Sequence, residues 1–456
     1  MRELLQTLVR LGGADYIEVR VEESHVTSLG FKGRDLDRVG KSIEFGGNIR
    51  ALTNGGWGFV SFNDLKDLEA KLQLACTQAR LSARSEGGQL AAVPVVEDQV
   101  ALDVAKDPRR LSLADKMALM GSYNDIILSY GGPIQSSSVY YSDKHSRLYF
   151  ANSEGTYLEQ EKLDLAGGAT AFATRDGNTQ LGRVGFGSSR DFAVAEGQED
   201  QVREACRQAV ELLDAPVVTG GEYTVICDPR LAGIFAHEAF GHLSEGDDVA
   251  ENPSLAQVMT LGTRFGQPFL NIYDSGLDAG ARGYLKYDDE GVLTEKTYLI
   301  REGVLVGRLH NRQSAARMGE RPTGSARALD YTFPPICRMR NTCIEAGEAT
   351  FENMLAGVKL GLYAVDSYGG QTDGEMFTFS AGRAYMIRDG RLAEPVRDVN
   401  LTGNVFVTLR NIDMVGADFT AHEGPGGCGK WSQSPLPTSE WAPHIRIRNV
   451  VVGGNK

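Results

Sequence analysis

Residues 43–62, "IEFGGNIRALTNGGWGFVSF", alternate apolar and polar side chains on either side of two glycine pairs. Alternation of period two describes a strand with one buried face. Glycine pairs and Asn-Gly mark tight turns between such strands. The stretch therefore predicts antiparallel strands joined by short turns. The pattern spreads outward from it. "YIEVRVEE" and "VTSLGFKG" read as two further strands of the same meander. The 54 glycines of the chain follow no Gly-X-Y period and no Pro/Ser tract, which excludes collagen-like and disordered classes.

Helical segments flank these strands. Residues 3–11 form a short amphipathic helix whose charges, Arg2, Glu3 and Arg10, do not fit a signal peptide. Leu65, Leu68, Leu72 and Ala75 recur at helical spacing. Residues 112–130 read as a helix capped by Ser112, and 198–215 as another. Strands return at 136–174, and residues 85–110 read as an irregular connection. The strand–helix, strand–helix order of the first half reads as an internal duplication. "PVVTGG" at 216–221 marks a boundary, dividing the chain into 1–215 and 216–456. Past it come strand 222–227, a helix, and then mainly strands and turns, with a helix at 350–363 and "VFVTLRNIDMV" among the strands. The fold class is α+β: two domains of largely antiparallel sheets with flanking helices, the second β-rich.

Composition narrows the function. Apolar residues make up 42% and charged residues 23% of 456, which suits a globular chain with a full core. Net charge is −13 without a basic stripe, which excludes a nucleic-acid surface. No apolar run is long enough for a membrane span. Six cysteines lie far apart, at 76, 206, 227, 337, 343 and 428, which points to a reducing, cytoplasmic setting rather than a disulfide framework.

Chemistry concentrates in "DPRLAGIFAHEAFGHLSEGD", residues 228–247. Asp228 is a good N-cap, and Pro229 occupies the first helical position. His237 and His242 are five apart, about 140° around an ideal helix. They share an ion only if a wide π turn brings i and i+5 together, or if the helix ends near Gly241 and His242 returns from outside it. The other reading is a helix that merely carries two histidines. Glu238 follows His237 directly, as the general base does in HExxH enzymes. Glu245, Asp247 and Asp248 read as a solvated acidic turn or as partners of the histidines. A catalytic zinc takes three protein ligands and keeps one position open. His310, His422, His444 and Cys428 are candidates for the third. Cys428 sits in "HEGPGGCGKWSQ", where glycines let the backbone approach a metal.

Taken in order, "HEAFGHLSEGD", "YDDEG", "PTGSAR", "YGGQTDGEMFTFSAGRAYMIRDGRL" and "GGCGKWSQ" resemble segments of the TldD/PmbA metalloproteases, on the TldD side. The resemblance implies zinc held by His237, His242 and Cys428, with Glu238 as catalytic base. Partner-type members of that family lack HExxxH, so the resemblance implies a catalytic subunit. It also implies a homodimer or a heterodimer with a partner-type subunit, an enclosed site, and substrates that are short or unfolded peptides, in peptide maturation or small-protein degradation. One departure stands out: serine, not glycine, precedes Gln433. A deformylase-like hydrolase also uses two histidines and a cysteine, but with a four-residue histidine spacing and the cysteine before the helix. The non-enzyme alternative is a scaffold subunit with an inert motif.

Overall fold

The computed structural model describes residues 1–84 and 88–453. Its first half is built from two similar units. The first runs α1 (Arg2–Leu8), β1 (Tyr16–Lys32), β2 (Asp35–Thr53), β3 (Gly56–Phe62) and α2 (Leu68–Leu81). A short strand β4 (Glu97–Val100) follows. The second unit runs α3 (Leu113–Ser129), β5 (Ile134–Asn152), β6 (Tyr157–Arg175), β7 (Asn178–Ser188) and α4 (Glu199–Asp214). All seven strands form one sheet, in the order β3-β2-β1-β5-β6-β4, with β7 also on β6. The units meet antiparallel at β1 and β5, where His25 lies opposite His145. In each unit the third strand crosses the next helix at a glycine. A Cβ on Gly58 would lie 1.9 Å from the Ala75 carbonyl oxygen, and one on Gly182 would lie 2.0 Å from that of Ala205. The internal duplication read from element order is therefore present in the geometry.

Two of the expected strands are one. "YIEVRVEE" and "VTSLGFKG" join through Ser24 and His25 into the 17-residue β1. Nothing there breaks the strand, because the Ser24 hydroxyl is satisfied by Glu22 (2.7 Å) and Ser146 (2.7 Å). Part of the supposed irregular segment 85–110 also carries structure, since β4 pairs parallel with β6. Residues 85–87 of that segment lie outside the described residues. Ser112 caps α3 as expected and forms a capping box with Asp115.

The second half contains a sheet closed on itself. Strand β8 (Gly221–Cys227) lies between strands 360–373 and 445–453; the first of these also pairs with 376–388 and so completes the ring through 400–404. A five-stranded sheet, which includes 272–275, 341–344 and 439–441, stands beside it. Helix α5 (Pro229–Ala236) packs between the two. Phe235 meets Phe377 and Phe379 edge-on at 5.5 and 5.9 Å, inside the largest apolar core. The helix expected at 350–363 covers only Phe351–Ala356. It stops at Gly357, and from Leu360 the alternation of "LGLYAV" feeds a strand. In the supposed strand 405–415, Val405–Arg410 are helical. Asn404 starts that helix by accepting the backbone N–H groups of Phe406 and Val407, so only Ile412–Val415 are extended. Among the described residues, no helix is long and apolar enough to cross a membrane.

Candidate metal centre

Strand β8 runs straight into α5. Asp228 accepts the Leu231 N–H at 2.9 Å, and Pro229 opens the first turn. The helix then widens: His237–Gly241 form a π turn, followed by one tight turn, His242–Ser244. Of the two ways to unite the histidines, the chain uses the wide turn. The imidazoles stand at right angles, with centroids 5.3 Å apart. A π turn disturbs the regular carbonyl ladder, and side chains supply bonds there. Thr372 Oγ1 donates to the Glu238 carbonyl (2.7 Å), and Ser244 Oγ to that of Phe240 (2.9 Å). Gly241 packs closely, since a Cβ there would lie 1.9 Å from Met339 Sδ and the methionine side chain would have to shift.

Cys428 arrives from the other end of the sequence, on a hairpin of residues 428–430 and 433–436. Fully buried Arg338 fixes it by donating to the carbonyls of Cys428 (2.7 Å) and Gln433 (3.1 Å). The hairpin turns at Trp431, which adopts φ 51°, so the loop reverses with a left-handed residue before Ser432. Donor atoms of His237, His242 and Cys428 lie within 4.8 Å of one another. The Cys428 Sγ–His242 Nε2 distance is 3.3 Å. Tetrahedral bonds of ~2.0–2.3 Å to zinc place neighbouring donors ~3.5 Å apart, so the set is already near that spacing.

The charges fit the same group. Burial raises the Cys428 thiol, but the imidazoles of His237 and His242 outweigh it and bring the thiol down to about 5, so the sulfur is a thiolate. Burial lowers His237 and His242, yet Cys428 and nearby carboxylates win. His237 rises to about 9 and His242 well above its ordinary value. A cation held by these three donors would displace the imidazole protons. Glu245 Oε2 lies 3.0 Å from His242 Nδ1, within hydrogen-bond reach; Glu440 Oε1 lies 3.4 Å from His237 Nδ1, which has no hydrogen-bond partner among the described residues. A carboxylate in hydrogen-bond reach orients a metal-binding imidazole. Glu238 Oε2 is 3.9 Å from His242 Nε2, and burial holds its carboxyl above the usual range.

The acidic turn is only partly solvated, with the Asp248 side chain 36% exposed. Glu245 is fully buried, and with Asp247 and Asp248 it surrounds the ammonium of Lys430 at 3.2, 2.7 and 3.0 Å. Acids that look like a hydrated turn in sequence are drawn inward by a lysine two residues past Cys428. The other candidate histidines stand apart from the cluster. His310 is held by Ser314 (2.9 Å) and Glu320 (3.2 Å), and His444 by Asp418 and by Tyr363 (3.0 Å). His422 lines a cavity of about 380 Å³ that also exposes His237 and Glu238. Glu440 and Arg338 lie in none of the motif segments, and Lys430, though inside "GGCGKWSQ", was given no role by the sequence. The signal for Lys430 was its position beside the cysteine hairpin.

Residues 17–83, 106–213 and 220–454 match, in turn, the PmbA/TldA metallopeptidase domain 1, central domain and C-terminal domain. A metalloprotease of Synechocystis sp. is 46% identical over 443 residues, 97% of this chain and 95% of that protein. A zinc metalloprotease TldD homolog of Saccharolobus solfataricus is 28% identical over 455 residues, 97% of each chain. The crystal structure of TldE from Thermococcus kodakarensis shares the fold over the whole of both chains, with TM-score 0.76 at 16% identity.

Proposed function

We propose, starting from the fact that this chain belongs to the PmbA/TldA metallopeptidase family, that it is a zinc-dependent peptidase acting on short or unfolded peptides. The observation that carries the proposal is the convergence of His237, His242 and Cys428 within 4.8 Å, with Glu238 beside them at the cavity. Two imidazoles and a thiolate are a donor set that suits zinc and leaves one position open for reaction. When bound, zinc supplies Lewis-acid polarisation of a carbonyl and makes water easier to deprotonate. The chain's own residues do the rest. Glu238 takes a proton from the attacking water and returns it to the leaving amine. Glu245 holds the His242 imidazole in orientation, and Glu440 places a negative charge beside that of His237. The cavity walls position the peptide.

The reading extends to a cytoplasmic protein that pairs with itself or with a partner-type subunit. Leu36, Val39 and Ile43, exposed along β2, offer apolar surface to such a partner. The test is metal analysis of purified protein beside hydrolysis of an unstructured peptide, before and after chelation. About one zinc per chain, with activity lost on chelation and restored by zinc, is expected. Protein that never binds zinc would instead make this chain a scaffold.

A further inference from the structure

The cavity beside the candidate metal centre is lined by His237, Glu238 and Glu440, and also by Arg230 of α5, Arg183 of β7, Tyr368 and His422. Arg230 stands two helical turns before His237, which sets an arginine end apart from the candidate centre. Arg230 and Arg183 share one carboxylate: Asp366 Oδ1 is 2.9 Å from Arg230 Nη1 and 4.0 Å from Arg183 Nη2. Among the described residues neither arginine has another ion-pair partner. One positive charge is therefore in excess at this end. Arg183 lies over the ring of Tyr368, 5.0 Å from its centroid, and Tyr368 is itself tied to the Leu181 carbonyl at 2.9 Å. The fork is thus held in place before any ligand arrives. Buried Arg183 Nε and His422 Nε2 have no hydrogen-bond partner among the described residues. Burial, aided by Arg230, holds His422 down to about 4, so its ring stays neutral and adds no competing charge.

We propose that Arg183 and Arg230 form a subsite for a carboxylate of the peptide, either its C-terminal carboxylate or an acidic side chain. The proposal rests on the peptidase reading above and names the feature by which substrates are chosen. Guanidinium forks match carboxylates through paired, charge-assisted hydrogen bonds, and the excess charge here lacks an anion. Position gives the subsite its meaning. Arg230 precedes His237 by seven residues, two turns, or about 10 Å along the helix axis. An extended peptide advances about 3.3 Å per residue. A carboxylate held at the arginine end therefore lies about three residues from the bond over the metal centre. If the terminal carboxylate is the ligand, cleavage removes a piece of about three residues from the C-terminus. If a side chain is the ligand, cleavage falls at that distance from an internal acidic residue.

The test uses zinc-loaded full-length protein carrying Glu238→Gln, so that binding is read without turnover. Three peptides share one neutral sequence: one with a free C-terminal carboxylate, one amidated, and one amidated with a single internal Glu. Calorimetry should show one or both carboxylate peptides binding about tenfold or more tighter than the neutral amide, a gap typical of charge-assisted bonds. The arm that gains identifies the source. Adding Arg183→Gln or Arg230→Gln should erase the gap while leaving neutral-amide binding within about twofold, and Arg183→Lys should retain part of it. Equal binding of all three peptides overturns the proposal. So does an equal loss across all three in the arginine variants, which would make the pair a structural clamp on Asp366. A preference that persists in a protein whose Glu238 form cuts none of the peptides would sink the peptidase reading and leave the carboxylate subsite standing.

Discussion

Replacing Glu245 by glutamine isolates what a buried carboxylate does for the histidine it faces. Glu245 is fully buried, with Oε2 3.0 Å from His242 Nδ1 and 3.2 Å from Lys430 Nζ. Burial would raise its carboxyl, but Lys430 and His242 outweigh burial and hold it down to about 2, so it is charged at any working pH. Glutamine keeps the shape and one acceptor oxygen but removes the charge. A His242 ring that gives Nε2 to a metal carries its proton on Nδ1 and donates it to Glu245. Loss of the charged acceptor makes the ring a weaker donor to metal and frees its orientation. Changes of this kind cost about 10–100-fold in affinity, or ~1.4–2.7 kcal/mol. The fold is cushioned, because Lys430 keeps Asp247 at 2.7 Å and Asp248 at 3.0 Å. Stability of the metal-free protein should therefore fall by only ~1–2 kcal/mol, short of the ~3–5 kcal/mol for stranding a buried charge. The assay is competition for zinc against a chromogenic chelator, with thermal melts in excess chelator as the stability control. Asp248→Asn touches Lys430 but neither imidazole, and should leave zinc affinity within ~threefold. The argument is refuted if Glu245→Gln binds zinc as tightly as the parent, or if Asp248→Asn loses as much.

Four further outcomes are expected. Cys428→Ala should lose most bound zinc while circular dichroism and melting in chelator stay close to the parent; stoichiometric zinc in this variant would remove the thiolate from the site. Glu238→Gln should keep zinc and bind peptide yet lose turnover by about 10²–10⁴-fold; loss of zinc along with activity would make Glu238 structural. Sedimentation should find a dimer that cuts short unstructured peptides and spares compact proteins, and a fully active monomer would contradict this. Glu22 supplies a pH prediction. Burial raises its carboxyl, but Lys162 and Lys144 outweigh burial and bring it down to about 2. A depressed acid stabilises the fold above the unfolded value near 4.5, and that stability is lost as pH falls toward 2. The contribution is on the order of 3 kcal/mol, and Glu22→Gln should flatten that part of the acid limb of a pH–stability curve.

What the sequence disclosed depended on the range of the interactions. Period-two alternation and glycine turns depend on neighbours, so the antiparallel sheets, the Ser112 and Asp228 caps and the helix before His237 were legible. Two errors came from the same local view. "VFVTLR" is β-branched and apolar, yet it is helical because Asn404 offers its first N–H groups an acceptor. Ser24-His25 looked like a break but lies inside β1, satisfied by Ser146 on β5. The candidate centre was legible in part: HExxxH is local, but the residues alone left His310, His422, His444 and Cys428 open as the third donor, and the resemblance singled out Cys428. Its supports were not. Lys430 turns three acids inward, and Glu440 reaches His237 from a strand about 200 residues on; no periodicity records either. The sequence did narrow the geometry of the five-residue spacing to two forms. The structure takes the wide turn, and in it Gly241 sits against Met339, where a Cβ would lie 1.9 Å from Sδ and the methionine side chain would have to shift.

The candidate centre lies in the second half by residue number, but it is braced from the first. Arg282 pairs with Asp164 of β6 at 2.7 and 2.9 Å, and from there donates to the carbonyls of Gly424 (3.2 Å) and Gly426. Those glycines lead directly to Cys428. A glycine-rich loop has little conformational preference of its own and pays the largest ordering entropy of any backbone. Two carbonyls gripped by one buried, charge-paired guanidinium supply the order the loop lacks. Tyr140 and Arg183, on β5 and β7, also line the cavity that His237 and Glu238 face. The ligand motifs are therefore necessary but not sufficient for the site. The first half sets the position of the cysteine loop and forms part of the wall of the cavity beside the candidate centre.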